Sequence, residues 1–205
     1  MRRLIAFAAA ACLLTVLGSG ASAADPKPSI EDPVGDANFL NDQGTGDGTF
    51  GDQVTPADAS DFADIEEVIF TNDKKNLYVH IVTVSNAAPI LGEGFRVRTN
   101  PEGAGGIYCL NFEVFFMGAQ NTVSGTAAQL NDTCGGVTVE GTAMPGIYGG
   151  FTITIPRSEH EGLGKGKKLT APQAQTFMYS GSPPAAVPGP YLDTTKVGSD
   201  YKLKK

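Results

Sequence analysis

The segment Ile65–Val84, IEEVIFTNDKKNLYVHIVTV, decides the fold. Two apolar runs rich in β-branched residues, Ile65–Phe70 and Leu77–Val84, flank Thr71-Asn72-Asp73-Lys74-Lys75-Asn76, a string of turn-forming residues. This order predicts a β-hairpin. Alternate side chains of an extended strand share a face. In the second run Leu77, Val79, Ile81 and Thr83 share one face, and Tyr78, His80, Val82 and Val84 share the other. Both faces are largely apolar, so this strand is expected to be central and covered on both sides. In the first run Ile65 is out of phase with Val68 and Phe70, which predicts a bulge near Glu66-Glu67.

The same period of two continues outward from this hairpin. Phe95, Val97 and Thr99 alternate with Arg96 and Arg98, the signature of a half-buried strand that presents two cations. Leu110, Phe112, Val114 and Phe116 share a face within the most apolar run, Ile107–Met117. Val137 and Val139, then Phe151, Ile153 and Ile155, alternate again before Pro156 stops the ladder, and Leu169–Tyr179 supplies a late strand. Ser158–Leu163 is expected to form one helical turn capped by Ser158. No apolar stripe of helical period extends over ten residues. The expected class is all-β: an antiparallel two-sheet β-sandwich, immunoglobulin- or jelly-roll-like, of about seven to nine short strands.

Residues 1–23 read as a signal peptide. Arg2-Arg3 is its basic start, Leu4–Leu17 its apolar run, and Ala21-Ser22-Ala23 a small-residue cleavage site. The apolar run is too short to span a bilayer and no second one follows, so an exported chain with no membrane insertion is expected. The expected organisation is a β-sandwich over 24–180 and a Pro/Gly-rich extended tail over 181–205 that can pack on it. Cys109 and Cys134 survive cleavage. A lone pair in an oxidising compartment is expected to form a disulfide, because no third Cys or His stands at ligand spacing for a soft metal. The net charge of −7 argues against nucleic acid and anionic membrane as partners.

That charge is local. From Asp25 to Asp73 there are 13 Asp and Glu against one Lys; from Lys74 onward there are nine acids and 12 bases. The acidic stretch opens with Asp32-Pro33-Val34-Gly35-Asp36, continues through Asp42, and closes with Asp58, Asp61 and Asp64 at three-residue intervals. Two readings stand: a solvated acidic loop, or a structural calcium site built from hard oxygen ligands and tight Gly turns. On the second reading the metal ligands are Asp32, Asp36 and Asp64, with Asp42 and Asp61 in support. The spacing is not that of a helix-loop-helix calcium loop.

The Asp-Pro-x-Gly-Asp-Ala-Asn opening, Asn41-Asp42-Gln43-Gly44, the Ala63-Asp64-Ile65 strand entry and Ile155-Pro156-Arg157-Ser158 together resemble a group of exported β-sandwich domains of high-GC Gram-positive bacteria. That group is similar in outline to family 9 carbohydrate-binding modules and the glucodextranase C-terminal domain. The resemblance implies a sandwich with a structural calcium near its N-terminal loop, at Asp32, Asp36 and Asp64. Sugar-binding members typically stack rings on Trp, and this chain has none. Tyr78, Tyr108, Tyr148, Tyr179, Tyr191 and Tyr201 are the aromatic substitutes.

Catalytic signatures are sparse. Gly-x-Ser-x-Gly does not occur, and no Cys and His cluster has blue-copper spacing. Of two His, His80 lies in an apolar strand as a structural residue, and His160 sits among acids in a turn expected to be solvated. Arg96 and Arg98 are candidate ligand contacts, with salt bridging as the ordinary role for such residues. The expected function is non-catalytic: a calcium-stabilised exported sandwich that binds an unidentified ligand, an extracellular glycan or a cell-wall component. The alternative is a glycan-active hydrolase.

Overall fold

Where alternation runs through a chain with no long helical stripe, backbone groups must pair between strands, and they do. The computed structural model describes residues 26–33, 64–84, 93–104, 108–116, 123, 126–180 and 187–204. Eleven strands form among the described residues: β1 (Ile30–Glu31), β2 (Ile65–Asn72), β3 (Asn76–Thr83), β4 (Glu93–Pro101), β5 (Leu110–Phe115), β6 (Thr126–Asp132), β7 (Val137–Pro145), β8 (Phe151–Pro156), β9 (Lys168–Ser180), β10 (Val187–Thr194) and β11 (Tyr201–Lys202). All pairings between these strands are antiparallel, in the order β1-β2-β3-β8-β7-β6-β5-β4-β9-β10; β11 shares the outer edge of β9 with β10. The all-β antiparallel expectation holds, and the Cys109–Cys134 disulfide is present with its Cα atoms 5.2 Å apart.

The β2–β3 hairpin forms as its sequence predicts. Ile65 pairs with Thr83 but Glu67 pairs with Val82, so Glu66 is the extra residue of a bulge. Because of that bulge Ile65 and Val68 both turn inward and both are fully buried. β3 lies inside the ladder between β2 and β8. Its outer face is covered at His80 and Val82 and open at Val84.

The ladder is continuous and strongly curled. β8 and β4 are four places apart in the order, which is roughly 19 Å in a flat sheet. Yet the Phe95 and Phe151 rings are 4.8 Å apart, centre to centre. Phe70 of β2 and Phe112 of β5 meet at 6.2 Å in the same way. The layers that face each other across the core are thus opposite arms of one curled half-barrel, which is compatible with a two-layer sandwich. The core they enclose draws on β1 through β9 and on Leu203 near the C-terminus.

More strands form than the sequence predicts. β1 and β11 hold two residues each, too few for any period to register. β10 carries Pro188 and Pro190, which lack an N–H and are tolerated because β10 occupies a sheet edge. Residues 193–204 then stitch the two edges of the curl together. Thr195 N and Gly198 N donate to Ala174 O and Pro172 O on β9, and Ser199 N donates to Ser29 O beside β1. The backbone passes so close that a Cβ on Gly198 would lie 2.1 Å from Ser29 O. Replacing Gly198 by Ala is expected to destabilise the protein by about 1–3 kcal/mol, the usual cost of overpacking. Urea melts of wild type and G198A check this; equal midpoints would show that the seam is not tight. Reducing the disulfide, which closes a separation of 25 residues, is expected to cost about 3 kcal/mol in the same assay.

Candidate functional site

Alternation places every second residue of β9, β4, β5 and β6 on the outer face of the sheet, and register aligns these residues across strands. One row runs Gln173–Arg98–Asn111–Asn131; the next runs Gln175–Arg96–Glu113–Gln129. Arg96 Nε donates to Glu113 Oε1 at 2.7 Å, and Gln129 Nε2 donates to Glu113 Oε2 at 3.0 Å. Arg98 Nε donates to Gln173 Oε1 at 3.0 Å, and its guanidinium carbon lies 4.3 Å from the centre of the Tyr108 ring. The two arginines therefore differ. Arg96 is neutralised by a carboxylate, whereas Arg98 has no ion-pair partner among the described residues. A groove of about 320 Å³ opens here, lined by both arginines with Tyr108, Asn111, Glu113, Asn131 and Thr133. Amides and hydroxyls offer donors and acceptors side by side, the pattern that matches a polyhydroxylated molecule.

The end of the half-barrel where β2 and β4 begin holds carboxylates. Asp64, Glu93 and Asp193 are 3%, 1% and 6% exposed. Asp193 Oδ2 accepts the Ile65 N–H at 2.9 Å, so its carboxylate rests on the Asp64–Ile65 peptide. Asp32 N donates to Glu66 O at 2.9 Å, which brings half-buried Asp32 to the same pair of strand ends as Asp64. Of the expected metal ligands, Asp32 and Asp64 are thus placed near each other, while Asp36, Asp42 and Asp61 lie outside the described residues. No three His, Cys, Asp or Glu gather as a metal site among the described residues. The donor type, buried carboxylate oxygen, fits calcium; the described residues alone do not complete its shell.

Glu93 and Asp193 were not picked out by their sequence context. Glu93 precedes Phe95, Val97 and Thr99 in the same phase, a signal that it points inward. Asp193 sits in a Pro/Gly-rich run with no period, so nothing local marks it.

Both histidines are bound into the fold. His80 Nε2 lies 2.7 Å from Thr71 Oγ1, and its Nδ1 lies 2.9 Å from Thr152 Oγ1. Burial lowers its pKa to about 4. His160 is not solvated, contrary to the expectation from its acidic neighbours: it is 8% exposed. Its Nδ1 accepts the Gly162 N–H at 3.1 Å, so the ring is protonated at Nε2, which lies 2.9 Å from Asp132 Oδ2. The expected cap is corrected too. The turn is split into two 3₁₀ turns, Arg157–Glu159 and Glu161–Leu163, and His160, not Ser158, caps the second. Asp132 also accepts from Cys134 N and Gly135 N, so one carboxylate holds the turn that carries the disulfide. Burial acts to raise the Asp132 pKa, but the hydrogen bonds from Gly135, His160 and Cys134 together hold it below the usual value.

Of the six candidate stacking tyrosines, Tyr201 stacks on Phe70 at 5.5 Å as part of the core, Tyr148 meets His80 edge-on at 5.1 Å, and Tyr108 is covered on one face by Arg98. Tyr78 donates to Asp73 Oδ2. No family model matches the chain, and no curated protein or solved structure matches it. The resemblance to exported sugar-binding modules therefore rests on the short motifs that carry it.

His80 and Asp132 each make the fold less stable in acid. His80 is held neutral, so its contribution is complete above about pH 6.5 and is lost as pH falls from there towards about 4. Asp132 is held ionised, so its contribution is complete above the ordinary Asp value and is lost as pH falls through its lowered folded value. Thermal melts between pH 7 and pH 4 are expected to show a falling Tm that flattens in H80Q. An identical slope in H80Q would show that His80 is not the group responsible.

Proposed function

We propose that this protein is an exported, non-catalytic β domain that binds an extracellular or cell-wall glycan on the outer face of β9, β4, β5 and β6. The observation that carries this reading is the pair of aligned polar rows around the Arg98–Tyr108 groove. They place guanidinium and amide groups and the Glu113 carboxylate on a sheet whose register holds their geometry, and Tyr108 and Thr133 add hydroxyls beside them. The lack of Trp places the apolar contact on Tyr108 and the planar Arg98 guanidinium. Both histidines are held by structural hydrogen bonds, which supports binding rather than acid–base catalysis. The signal-peptide pattern and the disulfide support export.

On this reading Ca²⁺ is held at the carboxylate end by Asp32 and Asp64, with Asp193 added to them, and by Asp36, Asp42 and Asp61 of the acidic stretch. Hard oxygen donors on a cation-poor stretch of chain support the assignment. The ion would neutralise carboxylates and anchor the acidic stretch to the start of β2.

Pull-down of the full chain on cell-wall preparations and on a panel of oligosaccharides tests the binding role. R98A is expected to weaken the captured glycan at least tenfold, about 1.4 kcal/mol. Capture of no glycan, or equal capture by R98A, would overturn the assignment of this face. For the ion, calcium at 100-fold excess over its Kd is expected to stabilise by about 2.7 kcal/mol, and EDTA to reverse the gain. D193N keeps an acceptor for Ile65 N but removes the charge, so it should weaken the calcium response. Superimposable melts with calcium and with EDTA would remove the ion from the reading.

A further inference from the structure

We infer that the opposite end of the half-barrel carries a second binding surface, a basic groove that takes an acidic polysaccharide. It is distinct from the Arg98 face and does not depend on it. Two adjoining grooves of about 700 and 500 Å³ share Lys165. The cations lining them are Lys74, Lys75, Arg157, Lys165, Lys202 and Lys204, and no carboxylate lines either groove. The five lysines are exposed, and none forms an ion pair among the described residues. This concentration of charge stands on a chain whose net charge is −7, and it draws on three segments distant in sequence.

The groove is built, not incidental. Arg157 is 8% exposed and serves as its central tie. Its Nε donates to Leu163 O at 2.9 Å, its Nη1 to Asp73 O, and its Nη2 to Lys204 O at 3.4 Å. One guanidinium thereby holds together the β2–β3 turn, the 3₁₀ region and the C-terminal strand, the three segments that bear the lysines. Asn72 reinforces this, accepting from Lys204 N at 3.0 Å and donating to Lys204 O at 3.3 Å. Asp73, next in the chain to Lys74, is turned into its own hairpin: its carboxylate accepts from Lys75 N, Asn76 N and Tyr78 Oη. The lysine stems are therefore left facing the groove.

The chemistry favours an acidic saccharide chain over other polyanions. Ammonium groups are compact point charges that accept sulfate, phosphate or carboxylate in varied geometry, whereas planar bidentate recognition uses Arg. Single-stranded nucleic acid needs aromatic platforms for its bases, and no aromatic residue lines either groove. Asn76 and Ser158 add hydroxyl-binding groups beside the cations.

The test uses the full chain and a sulfated heparin hexasaccharide as probe, with calorimetry at 50 mM and 300 mM NaCl. A neutral hexasaccharide, a 20-nucleotide single strand of DNA and anionic phospholipid vesicles serve as comparison ligands. Binding of the sulfated probe is expected to weaken at least tenfold at the higher salt. It should weaken at least tenfold again in K165E/K202E and in K74E/K75E, two exposed pairs whose melts report folding independently, and stay unchanged in R98A. The inference is overturned by any of three results: no binding of the sulfated probe, equal or tighter binding of neutral sugar, DNA or vesicles, or undiminished binding in both lysine variants. Loss of the R98A-sensitive glycan alone would sink the sheet-face reading and leave this groove standing.

Discussion

The structure depends on a seam between chain ends. A curled antiparallel ladder has two open edges, and unpaired edge groups and a half-exposed core would be the result if they stayed apart. Here residues 193–204 lie along both. Asp193 takes the N–H of Ile65, Gly198 reaches β9, Ser199 reaches Ser29, Tyr201 stacks on Phe70, and Leu203 completes the core. Each bond is modest, about 1 kcal/mol net, but together they hold opposite arms of the sheet at packing distance. The contacts to Ile65, Ser29 and Phe70 join positions more than a hundred residues apart, so the curl can be sealed only after the last strand is in place.

With the curl closed, the two faces and two ends acquire separate properties. The inner face is largely apolar and contributes stability. The outer face of β9, β4, β5 and β6 carries guanidinium and amide rows whose spacing is that of the strands themselves. Antiparallel topology sends the starts of β2 and β4 to one end and the β2–β3 turn, the end of β8 and the start of β9 to the other. The buried carboxylates Asp64, Glu93 and Asp193 collect at the first end and the exposed groove lysines at the second. Tying elements cluster at the lysine end: Arg157, the Asp132–His160 pair and the Cys109–Cys134 disulfide all lie there, so that end is the more heavily cross-linked.

Local sequence was a good guide wherever one strand is explained by its own side chains. The phase change at Ile65 announced a bulge because a period of two leaves no other way to bury both Ile65 and Val68. The alternation around Arg96 and Arg98 announced a half-buried strand because charged stems must reach water. The fate of His160 was not legible in the same way. Its sequence neighbours Glu159 and Glu161 are exposed, whereas Asp132, its actual partner, is contributed by the end of β6, 28 residues away.

Periodicity and turn residues by themselves determined the all-β class, the antiparallel hairpins and the pairing of two cysteines, since each follows from local sterics, alternation or a choice of one partner. Only the tertiary structure decided the curl, the inclusion of β10 and β11, the burial of Asp193 and the assembly of the basic groove. These depend on which segments become neighbours, and a chain with period two can satisfy its backbone in many strand orders. The order realised here is selected by the joint burial of one apolar face from β1 to Leu203, a condition on the whole chain that no single stretch expresses.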